Sequence, residues 1–151
     1  MLSEGLGRMS DEWFTPPNLF ESLKVFFDMD VAAPCEGQIF TPTQMRICVC
    51  KDGLKEEWSG LVWMNPPYSN PAPWVNKWLE HNNGLALLPM AKSKWFVDLV
   101  QTDAVFVVLP SSFKFLSPSK QKLSLMMGST LWATGNKAKQ VLEESGLGRI
   151  R

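Results

Sequence analysis

Two adjacent prolines, Pro66 and Pro67, follow directly on the apolar run Leu61–Met64, with Asn65 at the junction and Tyr68 beyond. Proline has no backbone N–H and holds φ near about −65°, so a strand that runs into such a pair must stop there. The other apolar runs, Phe26–Ala33, Leu85–Met90 and Ala104–Leu109, alternate with stretches of helical spacing. Behind the turn residues Thr15-Pro16-Pro17-Asn18 come Leu19, Phe20, Leu23, Phe26 and Phe27; later come Trp74–His81 and Lys94–Val100. Phe113-Lys114-Phe115 and Leu123–Met127 read as a closing antiparallel pair, and Asn136–Glu144 as a short helix. Alternating strands and helices predict an α/β fold: a mostly parallel sheet with helices on both faces and a C-terminal antiparallel hairpin. Runs such as Leu85–Met90 and Ala104–Leu109 read as parallel strands buried on both faces. Ligands of such a sheet bind outside the carboxyl ends of its strands.

A chain of 151 residues suits one domain. No apolar run is long enough to cross a membrane, and the start lacks a basic segment followed by an apolar core, so a cytoplasmic protein is expected, in a bacterium or a phage-infected host cell. Cys35, Cys48 and Cys50 are an odd number, and Cys48 and Cys50 lie too close for an ordinary disulfide framework, so reduced, buried thiols are expected. The single histidine, His81, is far from them in sequence, and no metal site is expected. Net charge is zero, but residues 1–85 carry −5 and residues 86–151 carry +5. A phosphate-facing surface therefore belongs to the C-terminal part, with Lys92, Lys94 and Lys114 as candidates.

The turn at Asn65 supplies what methylation of an exocyclic amine requires. Such a nitrogen is a poor nucleophile because its lone pair is delocalised into the ring. An Asn side-chain oxygen and a backbone carbonyl can accept both of its N–H bonds and orient the lone pair, which is catalysis by positioning and electrostatics. Pro66 and Pro67 make the turn rigid, and Tyr68, the only tyrosine, offers a flat face for an extruded base.

Asn65-Pro66-Pro67-Tyr68 resembles the catalytic tetrapeptide of amino-methyltransferases. Asp11-Glu12-Trp13-Phe14-Thr15-Pro16-Pro17 resembles a Trp-x-Thr-Pro segment that lines the cofactor site of many adenine methyltransferases, and Asp30-Val31-Ala32-Ala33 resembles the Asp-x-Ala-Ala form of their S-adenosylmethionine (SAM) motif. In this order, with Asp52-Gly53-Leu54, Trp58 and Trp74 to Lys77, the motifs resemble the phage-type DNA N-6-adenine methyltransferase family from Asp11 to about Met90. The resemblance implies a Rossmann-like SAM-dependent enzyme that methylates a flipped adenine in double-stranded DNA and requires no protein partner. Asn65, Pro66, Pro67 and Tyr68 would be catalytic; Trp13, Thr15, Pro16, Asp30, Ala32 and Asp52 would bind the cofactor. The cofactor and catalytic motifs fall in 11–68 and the C-terminal strands and basic surface in 86–151.

Two departures stand out. Only about one βαβ unit of chain separates Asp30 from Asn65, so the two extra strands of a full methyltransferase sheet are not expected between them; a minimal sheet is. Ser111-Ser112 stands where the family usually has Gly-Arg before Phe113-Lys114-Phe115. Two other readings remain: an amino-methyltransferase for RNA or protein glutamine, and an inactive relative that binds SAM or DNA as a regulator.

Overall fold

The computed structural model describes residues 14–35, 39–49, 52–116, 122–123 and 128–151. Trp13, Cys50, Lys120 and residues 124–127 lie outside these. Eight strands are present among them: β1 (Met29–Ala33), β2 (Arg46–Cys48), β3 (Val62–Met64), β4 (Gly84–Pro89), β5 (Val105–Val108), β6 (Phe115–Leu116), β7 (Lys122–Leu123) and β8 (Ser129–Thr134). The four helices are α1 (Pro17–Leu23), α2 (Ala72–His81), α3 (Lys94–Val100) and α4 (Asn136–Glu144). Six strands form one sheet in the order β2-β1-β3-β4-β8-β5, and β6 and β7 form a separate antiparallel ribbon. The pairs β2–β1, β1–β3 and β3–β4 are parallel, while β8 runs antiparallel to both β4 and β5.

Successive side chains of a strand point to opposite faces, and here both faces are buried. Trp63, Leu85, Leu87, Leu131 and Ala133 pack beneath α1 and α4, contributed by Leu19, Phe20, Leu23, Ala138, Val141 and Leu142. Val62, Met64, Ala86, Leu88 and Trp132 pack on the other face against Trp74, Val75 and Trp78 of α2 and Leu99 of α3. The continuous apolar runs of the central strands follow from this two-sided burial. Trp63 anchors the first face, with Phe20 at 4.8 Å and Phe27 at 5.5 Å between ring centroids.

Four expectations are corrected. First, α1 stops at Leu23. Lys24 takes a left-handed conformation (φ 52°) and donates its N–H back to Phe20 O, so Phe26 turns outward at 59% exposure and Phe27 leaves the helix to bridge Thr43. Second, one of the two strands excluded between Asp30 and Asn65 is present: β2 pairs parallel to β1 through the connection 34–45. A parallel crossover needs about a dozen residues and only usually a helix, so the strand fits without one. Third, β5 is not buried on both faces. It meets only β8, Val108 is 42% exposed, and its outer edge is closed by the chain end, where Arg151 N–H donates to Phe106 O at 2.8 Å. Fourth, Cys35 and Cys48 form a disulfide, with Cα atoms 5.0 Å apart, rather than free thiols. Sequence spacing misleads there because the partner comes from sheet register: Ala33 lies opposite Cys48, so Cys35 leaves β1 beside the end of β2.

Gly60 shows how tightly β1 and β3 are joined. Asp28 Oδ2 accepts the N–H of Leu61 at 2.7 Å, and a Cβ on Gly60 (φ 71°) would lie 2.2 Å from that oxygen. Only glycine fits there.

Candidate active site

β1 leads outward to β2 on one side, whereas its other neighbour β3 leads on to β4. The strand order therefore reverses between β1 and β3, and the carboxyl ends of the two strands at such a switch point open a crevice for ligands. The residues leaving those ends are Pro34 and Asn65.

A narrow cleft lies there, lined by Phe14, Thr15, Asp30, Ala32, Pro34, Ile39, Phe40, Thr41, Trp63 and Asn65. Four chain segments converge on it, one of them the end of β3 with Trp63 and Asn65. Residues 14–15 are fastened to the ribbon, because Phe14 and Leu116 exchange both backbone hydrogen bonds, at 2.8 and 3.0 Å. β1 supplies Asp30 and Ala32. The connection 34–45 folds back so that Thr41 Oγ1 donates to Asp30 Oδ2 at 2.6 Å.

Asp30 is 2% exposed. Burial raises its pKa to about 6, against the opposing pull of the Thr41 hydroxyl, the Ala32 N–H at 3.4 Å and the charge of Arg46. Asn65, half-buried, donates from Nδ2 to Thr15 Oγ1 through a long hydrogen bond of 3.4 Å. Pro66 is buried behind it, and Pro67 O accepts the N–H of Asn70 at 3.3 Å, closing the turn. Tyr68 donates its hydroxyl to Leu87 O at 3.0 Å and meets Phe115 edge-on, with centroids 6.1 Å apart. Burial pushes its phenol well above the ordinary range.

The structure thus brings together Thr15, Asp30, Ala32 and Asn65 from the sequence-predicted set. Pro16, Pro66, Pro67 and Tyr68 adjoin the cleft in sequence without lining it, and Trp13 lies outside the described residues. Asp52 does not reach the cleft: it is exposed, left-handed (φ 56°), and pairs with Lys55 at 3.6 Å. Its loop is tied to α2, where Lys77 donates to the carbonyls of Gly53, Leu54 and Glu56. Thr41 was missed. The one signal was its Thr41-Pro42 dipeptide, which repeats Thr15-Pro16.

Lys92 is exposed on the connection leaving the carboxyl end of β4, Lys94 opens α3 and pairs with Asp98 at 2.6 Å, and Lys114, half-buried, precedes β6. A wider groove lies away from these elements, between Lys55, Glu56, Glu57, Trp58, Lys77, Glu80 and His81. It holds none of the residues at the strand ends. No helix among the described residues is long and apolar enough to cross a membrane.

A doubly wound α/β sheet with a cleft at its switch point defines a class of proteins whose ligands bind outside the carboxyl ends of the strands. Comparison with known proteins narrows this class. Residues 3–131 match the family model of DNA N-6-adenine-methyltransferase (Dam). The chain is 29% identical over 125 residues to the DNA N-6-adenine-methyltransferase of Haemophilus phage HP1 (strain HP1c1), covering 74% of this chain and 70% of that protein. It is 34% identical over 107 residues to the DNA N-6-adenine-methyltransferase of Escherichia phage T1, covering 64% of this chain and 44% of that longer protein. No solved structure matches. The chain belongs to the DNA N-6-adenine-methyltransferase family, and so to the adenine-specific DNA methyltransferases, enzymes that require a methyl donor.

Proposed function

We propose that this protein transfers a methyl group from SAM to N6 of an adenine turned out of double-stranded DNA, as a single domain with no protein partner. The observation that carries the reading is Asn65: its side chain and the buried carboxylate of Asp30 line one cleft at the switch point of the sheet.

The lining suits the donor chemically. Asp30 can accept the donor's ammonium group, Ala32 lets the backbone come close, and Phe14, Phe40 and Trp63 offer apolar faces for its adenosine part. The cleft holds about 20 Å³ of open space, enough for a water and little else. Binding therefore requires Ile39–Phe40 or Phe14–Thr15 to move outward. When bound, SAM supplies a methyl group on a positively charged sulfur.

The chain's own part is to orient the amine. Asn65 donates from Nδ2 to Thr15 Oγ1, and its Oδ1 is assigned to accept one N–H of adenine. Pro67 O serves the turn, and the Pro66 carbonyl takes the second N–H. Tyr68, braced by Leu87 O and Phe115, presents its ring to the extruded base. Lys92, Lys94 and Lys114 meet DNA phosphates, consistent with the positive charge of residues 86–151. Asp52 remains a candidate only for an outlying contact with the adenosine end.

The test is transfer of labelled methyl from SAM to duplex DNA containing adenine, to RNA and to a glutamine peptide in parallel. Label confined to N6-methyladenine in the duplex is the expected result. Label in RNA or peptide alone would replace the substrate, and no transfer to any of them would leave an inactive relative.

A further inference from the structure

A carboxylate buried as deeply as Asp30 costs free energy unless other groups compensate. Its Oδ2 accepts the Thr41 hydroxyl at 2.6 Å, within the range of a hydrogen bond to an ionised oxygen. Its Oδ1 accepts the Ala32 N–H at 3.4 Å. Thr41 is itself fixed: it is buried at 5% exposure, and its carbonyl accepts Arg46 Nη2 at 2.9 Å. Thr41 comes from neither strand at the switch point but from the chain between β1 and β2.

We propose that Thr41 is a positioning residue for the methyl donor: its hydroxyl holds Asp30 Oδ2 so that the carboxylate keeps one orientation and presents its remaining lone pairs to the donor's ammonium group. The inference rests on the assignment of the donor to this cleft. A carboxylate offers about four acceptor sites, and the two contacts above leave room for an ammonium. The hydroxyl also stabilises the charged form of Asp30 against burial, which works in the opposite direction. Arg46 of β2 is the charged side chain acting on Asp30. The other elements around it contribute Phe14 and Thr15, Ile39 and Phe40, and Trp63 and Asn65, none of which titrates.

The experiment is calorimetry on the intact protein without DNA, using SAM and 5′-methylthioadenosine, which shares the adenosine part but lacks the amino acid. Thr41→Val, Thr41→Ser and Asp30→Asn are compared with wild type across the pH range in which Asp30 titrates. Thr41→Val is expected to lose about tenfold in SAM affinity near neutral pH, the scale of one hydrogen bond to a charged group. Its SAM binding should also develop at higher pH than in wild type, because loss of the hydroxyl raises the pKa of Asp30. Thr41→Ser should restore both properties, and 5′-methylthioadenosine should bind all four proteins alike. Asp30→Asn losing SAM while Thr41→Val matches wild type in affinity and pH profile would overturn the role of Thr41 and leave the cleft reading intact. Equal loss of both ligands in Thr41→Val would also overturn it, since Thr41 would then only shape the cleft. If Asp30→Asn binds SAM like wild type, the cleft reading falls as well.

Discussion

The two flanks of the sheet bury polar groups for different purposes. On the β4-β8-β5 flank, Thr130 is fully buried, donates to Leu88 O at 2.8 Å and accepts Trp132 Nε1 at 2.8 Å. That arrangement is neutral and complete within two strands, and it leaves no acceptor for a visitor. On the β2-β1-β3 flank, Asp30 is buried as a carboxylate whose pKa is raised to about 6 and whose short hydrogen bond comes from another segment, at Thr41. Burying a charge is costly where an apolar residue would stabilise more, and its presence at the strand-end crevice is the ground on which we assign that flank as the working side. In this reading the β4-β8-β5 strands themselves serve as scaffold.

The largest effect that would sharpen this comparison is on turnover. Asn65→Ala is expected to cut methyl transfer about a hundredfold or more, the scale of removing one preorganised polar group, while thermal stability and DNA affinity stay near wild type. Single-turnover transfer with melting and DNA titration checks it.

The next effect is on stability and has a definite sign. The folded pKa of Asp30, about 6, exceeds the ordinary 3.8, so the native state binds more protons than the unfolded state between these values. The contribution of Asp30 to stability is therefore best at low pH and falls as pH rises through about 6, by about 3 kcal/mol in all. Asp30→Asn should gain on wild type in denaturant titrations as pH rises from 4 to 7, while losing SAM binding. Thr130→Val should do the reverse. It leaves Trp132 Nε1 buried without a partner, costing about 1–3 kcal/mol, yet it should keep full transfer well below its melting temperature. A loss of transfer in Thr130→Val larger than its loss of folded protein would break the division between flanks.

The smallest effect concerns Tyr68. Tyr68→Ala should lose about 1–3 kcal/mol of base stacking. Tyr68→Phe keeps the ring but loses the bond to Leu87 O, costing about 1 kcal/mol. Fluorescence of 2-aminopurine at the target position reads both. Equal losses in the two variants would mean that the hydroxyl, and not the ring face, is what matters.

Four residues of the strand-end cleft, Thr15, Asp30, Ala32 and Asn65, were legible in the sequence because they belong to local motifs. Asn65 follows a strand at a Pro-Pro turn, and Asp30 and Ala32 lie within another. Helices α3 and α4 coincide with their expected spans because apolar spacing and turn residues agree there. What escaped was whatever depends on partners distant in sequence. β2 is three residues, one exposed and two half-buried, too short for any alternation to register. β8 was missed because Ser129, Thr130 and Thr134 read as polar, although all are buried. The Thr41–Asp30 contact and the Cys35–Cys48 bond both arise from how the connection 34–45 returns along β1, and spacing alone cannot reveal that.

The most direct test of the division between flanks is hydrogen exchange by mass spectrometry on wild type, with and without saturating SAM. Slower exchange is expected in peptides covering residues 14–20, 30–41 and 62–68, with 129–134 unchanged. Protection confined to residues 55–58 and 77–81, around the wider groove, would put the donor elsewhere and contradict the account.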